Sequence, residues 1–148
     1  MKVTETLNEK QTVAAALEFA AKLKAGDIVR LHGEIGVGKT VFVRGVAAYF
    51  GCDEDVCSPT FAIMNIYGDN PPIYHFDLYR FKNEDELYDA GLDEFLDGSG
   101  ISLVEWPELL KNYPAKRFID ITIEKDSSKG ENFRRIIENL TGRSELKK

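Results

Sequence analysis

The sequence predicts an α/β domain, and three observations carry that prediction. The apolar run Ile28, Val29, Leu31 leads into GEIGVGKT at 33–40 and from there into a helical pattern, a strand, glycine loop and helix in succession. Apolar residues recur at helical spacing at Val13, Ala16, Leu17 and Ala20, and again at Val43, Val46, Ala47 and Phe50. Short apolar runs elsewhere read as strands, so helices and strands are interleaved along the chain.

In chain order, Asn8 with Gln11 has capping-box spacing, which predicts a first helix over 9–24, ended by Gly26. A strand over 27–32 follows, then the glycine loop, then a helix over 39–50 stopped by Gly51. The runs 61–67 and 73–79 flank the turn-rich GDNPP at 68–72 and predict a strand pair. A short acidic helix is expected at 84–90, and Ile101, Leu103 and Val104 mark a buried strand. Ile119, Ile121 and Ile123 alternate as a half-exposed strand before the turn DSSKG. For the end of the chain two readings stand: Phe133, Ile136, Ile137 and Leu140 fit a helix, and they also fit a hairpin partner for 119–124. The length suits one domain over 1–148.

The glycine loop carries the chemistry. Gly33, Gly36 and Gly38 let the backbone bend until its N–H groups point inward, at the positive end of the following helix, so that residues 33–41 (with Glu34, Ile35, Val37 and Val41) form an anion socket. Lys39 would reach the β- and γ-phosphates of a nucleoside triphosphate, and the Thr40 hydroxyl would bind the Mg²⁺ that bridges them. Chance yields such a string in about 0.7% of chains of this composition. A nucleotidase of this kind also needs an acidic group at a strand tip to hold the waters of the ion. Two candidates are available: Asp77, ending the run from Ile73, and Glu105, ending the run from Ile101.

Composition narrows the function classes. No stretch approaches 18 consecutive apolar residues and MKVTETLNEK has no signal-peptide core, so the cytoplasm is expected, with no membrane partner. Cys52 and Cys57 have no zinc-ligand spacing with His32 or His75. The net charge of −6 is uneven: residues 53–108 hold 14 acidic groups against Arg80 and Lys82, while residues 129–148 hold six basic against three acidic. A chain so acidic over its middle does not grip nucleic acid by neutralising phosphates, and any nucleic-acid role is expected to be indirect. Two rivals to an ATPase share the socket. A small-molecule kinase would need a cationic lid, for which Lys111, Lys116 and Arg117 are the available cluster, and a binding module would hold nucleotide without hydrolysis. No N-K-x-D string reads guanine.

GEIGVGKTVFVRG at 33–45, SPTF at 58–61, HFDLYR at 75–80 and LVEWPE at 103–108 stand in the order and spacing of the bacterial TsaE (YjeE) family, which the chain resembles over nearly its whole length. The resemblance implies a three-layer P-loop NTPase fold with a mostly parallel central sheet and antiparallel strands at one side. It also implies an ATPase that works with the TsaB and TsaD proteins. Their assembly places a threonylcarbamoyl group on the adenosine beside the anticodon of ANN-decoding tRNAs, and ATP hydrolysis resets it between turnovers. By position, Lys39 and Thr40 hold phosphate and Mg²⁺, Glu105 is the magnesium-side carboxylate, and Asp77 sits near the γ-phosphate and orients water. Thr60 resembles a switch residue that senses that phosphate, while Trp106 and Arg80 serve coupling or partner contact. Outside the motif context Thr60, His75 and Trp106 read as a turn-capping hydroxyl, a satisfied histidine and a half-buried aromatic. Two residues depart from the family pattern: Val37 replaces a common Ala, and Val41 stands where many relatives have a second Thr, which would weaken α-phosphate contacts if that hydroxyl touches the nucleotide.

Overall fold

The structure, a computed structural model, describes residues 1–53, 56, 63–96, 98–115 and 117–142. Seven strands form one sheet: β1 (Lys2–Thr6), β2 (Ile28–His32), β3 (Met64–Tyr67), β4 (Ile73–Asp77), β5 (Ile101–Glu105), β6 (Arg117–Lys125) and β7 (Arg134–Gly142). Their order is β1-β7-β6-β2-β5-β4-β3. The central four, β6-β2-β5-β4, run parallel, with Ile28 opposite both Phe118 and Ser102 and Asp77 opposite Glu105. Beyond β6 the strands β7 and β1 are antiparallel, and β3 adds a further antiparallel strand at the other edge, so antiparallel strands flank the parallel centre on both sides where one side was expected. That edge arises because the turn at 68–72, with a cis Asn70–Pro71 bond, folds β3 back directly on β4.

The central strands are covered on both faces, which explains why they read as continuous apolar runs. On one face lie α1 (Glu9–Ala20) and α2 (Lys39–Tyr49), whose Ala16, Phe19, Phe42, Val43 and Val46 pack on Val29, Leu31, Leu103 and Ile121. On the other lie α3 (Glu84–Asp89), α4 (Asp93–Leu96) and a 3₁₀ turn at Pro107–Leu110, where Leu87, Leu96 and Leu110 pack on Ile28, Phe76 and Val104. Each fully buried aliphatic or phenyl side chain stabilises the fold by about 1.5–3 kcal/mol. The three layers follow from that division of apolar residues.

The predicted capping box forms. Asn8 Oδ1 accepts from the Gln11 N–H at 2.8 Å, and Gln11 Oε1 accepts from the Leu7 N–H at 2.8 Å. The helix stops at Ala20 rather than at 24, because its last turn tightens: Lys22 and Leu23 donate to the carbonyls of Phe19 and Ala20, three residues back. Asp27 then takes the Lys24 N–H on its carboxylate. The strand at 101–105 extends to Glu105, and the one expected at 73–79 ends at Asp77.

The C-terminal segment is a strand. Ile136 lies opposite both Ile123 on β6 and Thr4 on β1 and is buried, while Leu140, which the helical reading would also bury, is half exposed. β1 went unpredicted because Lys2–Thr6 has no apolar alternation and buries only Thr6; it is a strand by virtue of the open edge of β7. The helix α4 was likewise not anticipated, being too short for a periodic signal. Among the described residues no helix is long and apolar enough to cross a membrane.

Two features of this packing can be tested. Gly45, in the middle of α2, lets the helices approach so closely that a Cβ there would stand 2.5 Å from the Ala16 Cβ and 2.6 Å from the Val13 carbonyl oxygen. Gly45→Ala is expected to destabilise the protein by about 1–3 kcal/mol in urea unfolding, against the ~1 kcal/mol that helix propensity would add. A mutant as stable as the parent would show that the helices are not in contact there. On β6, Asp120 accepts two hydrogen bonds from Arg30, at 2.8 and 2.7 Å, and shares one with His32 Nε2 at 2.8 Å. Burial alone raises the Asp120 carboxyl, but the hydrogen bonds from His32 and Arg30 and the charges of both outweigh it, and its pKa is lowered. Its stabilising contribution is therefore full above the ordinary carboxylate value of 3.8 and lost as the pH falls through the lowered one. Asp120→Asn should lower the Tm at neutral pH and converge on the parent in acid, as thermal melts across the pH range would show.

Candidate nucleotide-binding site

Parallel pairing brings the carboxyl ends of β2, β5 and β4 side by side, the position at which open α/β sheets bind ligands. The loop at 33–38 leaves β2 there. Gly33 has φ 147°, and a Cβ on it would stand 2.8 Å from both the Ile123 carbonyl oxygen and Val37 Cγ1, so only glycine lets the loop pass under the tip of β6. Gly36 and Gly38 also have positive φ, and Gly38 caps α2 through its carbonyl, which accepts from the Phe42 N–H at 3.0 Å. The Glu34 carbonyl takes the Val37 N–H at 3.2 Å. Glu34 and Ile35 stand exposed at the tip, whereas Val37 is buried and anchors the loop. The opposite side is held by β7, from which Arg134 Nε donates to the Val37 carbonyl at 2.7 Å.

Lys39 opens α2 and is only 5% exposed. Its Nζ donates to the Gly33 carbonyl at 2.8 Å, lies 4.4 Å over the Trp106 ring and faces Glu105 Oε1 at 4.0 Å, an ion pair across space. Glu105, 6% exposed at the tip of β5, is held from its other oxygen by His75 Nε2 at 2.6 Å. His75 is wholly buried on β4, and its Nδ1 meets the Tyr67 hydroxyl of β3 at 3.1 Å. The Tyr67 oxygen in turn accepts from Asn65 Nδ2 at 3.3 Å. Asp77 is the register partner of Glu105 on the adjacent strand and is half-buried, with Oδ1 accepting from the Tyr79 N–H at 3.0 Å.

Trp106 follows Glu105 with φ 58° and ψ 60°, a left-handed conformation that costs a non-glycine residue about 1–2 kcal/mol. That turn sends the indole back over Lys39 and against Tyr79, with ring centroids 5.0 Å apart. The strain falls beside the buried charges, where backbone outliers tend to mark function.

Of the residues singled out in the sequence, Lys39, Glu105, Asp77 and Trp106 are brought together, with Thr40 half-buried in the first turn of α2 beside Lys39. Arg80 is exposed in the turn after β4. Thr60 and the rest of SPTF, along with Cys57 and Lys116, lie outside the described residues. Sequence reasoning missed two parts. His75 lies in the HFDLYR string, and the alternation of Ile73, His75 and Asp77 on β4 places it on the face of the loop, but nothing in the sequence linked it to Tyr67 on one side or Glu105 on the other. An open cleft with a cavity volume of about 70 Å³ between α1, the loop and β7 is lined by Glu9, Thr12, Val37, Gly38, Val41, Asn132 and Arg134. Val41 points into it, while Asn132 and Arg134 come from the far end of the chain, where no spacing could announce them.

Comparison with known proteins agrees with this architecture. The family described as Threonylcarbamoyl adenosine biosynthesis protein TsaE matches residues 6–136. The tRNA threonylcarbamoyladenosine biosynthesis protein TsaE of Bacillus subtilis is 42% identical over 121 residues, covering 81% of this chain and 75% of that protein. The protein of the same description from Rickettsia typhi is 42% identical over 122 residues, covering 80% and 84%. The crystal structure of Bacillus subtilis YdiB superposes with a TM-score of 0.74 at 31% identity, over 99% of this chain and 88% of the other. With the loop, the strand-tip carboxylates and the sheet order all in place, the chain belongs to the TsaE family.

Proposed function

We propose that the chain binds Mg·ATP at the loop of residues 33–40 and hydrolyses it, and that it does so in the cytoplasm in the service of threonylcarbamoyl modification of tRNA. The observation that carries this reading is the meeting of buried Lys39 with Glu105 and Asp77 at the mouth of the glycine loop. The family description and the names of the relatives support the biosynthetic role.

The donor set fits the ion. Among the described residues no group of three or more His, Cys, Asp or Glu could hold a metal by itself. Mg²⁺ instead takes one or two protein oxygens and completes its shell with phosphate and water, and Thr40 with Glu105 would supply those oxygens. When bound, the ion neutralises charge on the β- and γ-phosphates. Lys39 exchanges its contact with the Gly33 carbonyl for phosphate oxygens, and the loop N–H groups take the remainder. The cavity beside Gly38 and Val41 receives the nucleoside. Val41 brings no hydroxyl to that wall, so polar contact there falls to Thr12, Asn132 and the backbone.

Asp77 orients the attacking water. The water oxygen bonds to the γ-phosphorus as the bond to the bridging oxygen breaks, ADP departs, and the water proton passes by way of Asp77 to the released phosphate. TsaB and TsaD are the partners in this reading, with tRNA reached through them. Thr60 senses the γ-phosphate, while Trp106 and Arg80 carry the response to the partners.

Lys39→Ala should weaken ATP binding by about 100-fold or more in calorimetry, since several charge-assisted hydrogen bonds are lost at once. It should also abolish hydrolysis, whether measured alone or with purified TsaB and TsaD. Unchanged ATP affinity in a folded mutant would remove the loop from the argument, and hydrolysis indifferent to TsaB and TsaD would remove the partners. The two carboxylates should separate in a magnesium titration. Glu105→Gln should raise the Mg²⁺ requirement about tenfold, whereas Asp77→Asn should leave Mg·ATP binding intact and slow hydrolysis about 100-fold. The reverse pattern would exchange their roles.

A further inference from the structure

Behind Glu105 a file of buried polar groups crosses three strands, and its hydrogen-bond directions are determined by chemistry. A carboxylate has no hydrogen to give, so at 2.6 Å His75 Nε2 must be the donor to Glu105 Oε2. In the tautomer that carries its hydrogen on Nε2 the lone pair lies on Nδ1, where the Tyr67 O–H donates at 3.1 Å, and the Tyr67 oxygen accepts from Asn65 Nδ2 at 3.3 Å. Every donor points toward Glu105. His75 is wholly buried and Glu105 nearly so, a placement in which an unsatisfied polar atom is costly and a satisfied one is rigid. The other carboxylate oxygen faces Lys39 at 4.0 Å, so the group is held between a cation in front and a histidine behind.

We infer that His75 is a positioning residue for Glu105: it takes one carboxylate oxygen so that the other is presented, in one orientation, to the metal side of the glycine loop. Tyr67 fixes the ring that does this. The inference rests on the assignment of Glu105 as the magnesium-side carboxylate. It explains why a histidine, rather than an apolar residue, occupies a fully buried position on the central strand β4. Groups that orient a ligand from behind affect metal affinity nearly as strongly as the ligand does, by about 10- to 100-fold.

The test uses the full chain, a non-hydrolysable ATP analogue and Mn²⁺, with binding of Mn²⁺ read by electron paramagnetic resonance. His75→Phe keeps a ring and loses the donor; His75→Gln keeps a donor at nearly the position of Nε2. His75→Phe should weaken Mn²⁺ binding about 10- to 100-fold, His75→Gln should recover most of it, and both should bind the analogue in EDTA as the parent does. Tyr67→Phe, which leaves the histidine in place without its own donor, should weaken Mn²⁺ about threefold. Parent-like Mn²⁺ affinity in His75→Phe overturns the inference, as does a His75→Gln no better than His75→Phe, which would reveal a packing role. Should His75→Phe not fold, Tyr67→Phe decides: the threefold loss supports the inference and parent-like affinity overturns it. Glu105→Gln separates this inference from the reading beneath it. If that mutant binds Mn²⁺ normally, the assignment of Glu105 falls; if it fails to bind while His75→Phe binds normally, the positioning role alone falls.

Discussion

Two opposite charges buried together, Lys39 and Glu105, impose the constraint around which the site is built. Taking either group out of water costs several kcal/mol, and their attraction repays this only when further hydrogen bonds complete each of them. The structure supplies completing contacts from three sides. The Gly33 carbonyl and the Trp106 ring satisfy the ammonium, and His75 satisfies the carboxylate. Tyr67 then satisfies the histidine, which carries the requirement as far as the edge strand β3. A charge pair between the start of α2 and the tip of β5 thus specifies polar residues on β4 and β3 as well.

The same constraint accounts for the backbone. Glycine at 33 is required because the loop must pass between the tip of β6 and Val37 while turning its carbonyl toward Lys39. The left-handed turn at Trp106 is the counterpart on β5: it ends the strand directly after Glu105 and brings an aromatic face over the ammonium. Pro107 then opens the 3₁₀ turn that packs Leu110 under the opposite face of the sheet, so the strained residue is held between two well-packed segments. An indole in that position shields the charge pair from water and shares an edge with Tyr79, which is largely exposed.

Residues distant in sequence control the loop as tightly as near ones do. Arg134 fastens the Val37 carbonyl from β7. β7 is itself held between β6 and β1, so the first strand of the chain braces the strand that holds the loop. Lys22, in the turn after α1, pairs with Glu138 on β7 and ties that turn to the same hairpin. The glycine loop is therefore clamped by β5 through Lys39 and Glu105 and by β7 through Arg134. Changes in either clamp would reach the backbone of the glycine loop.

How much of this was legible in the sequence depended on whether the signal was local. The loop, the helices on either side of it, the buried parallel strands and the capping box at Asn8 were readable because periodicity, glycine placement and short-range hydrogen bonds belong to contiguous residues. Asp77 and Glu105 were readable as strand ends, yet only the parallel register showed that they stand side by side. The C-terminal segment was ambiguous because Ile136 and Ile137 serve a helix and a strand equally well; the open edge of β6 decided it by offering backbone partners. β1 has no side-chain signal, since an edge strand of polar residues is defined by its neighbour's hydrogen bonds. His75 stood in a motif, with a satisfied core histidine as its reading outside that context, and only the approach of Tyr67 from one side and Glu105 from the other gave it a direction. By itself the sequence determined the glycine loop and the helix it opens, because such a loop is specified by a few consecutive residues. The tertiary structure decided which carboxylate faces the lysine and what holds it there, because those contacts join strands that only the sheet order makes neighbours.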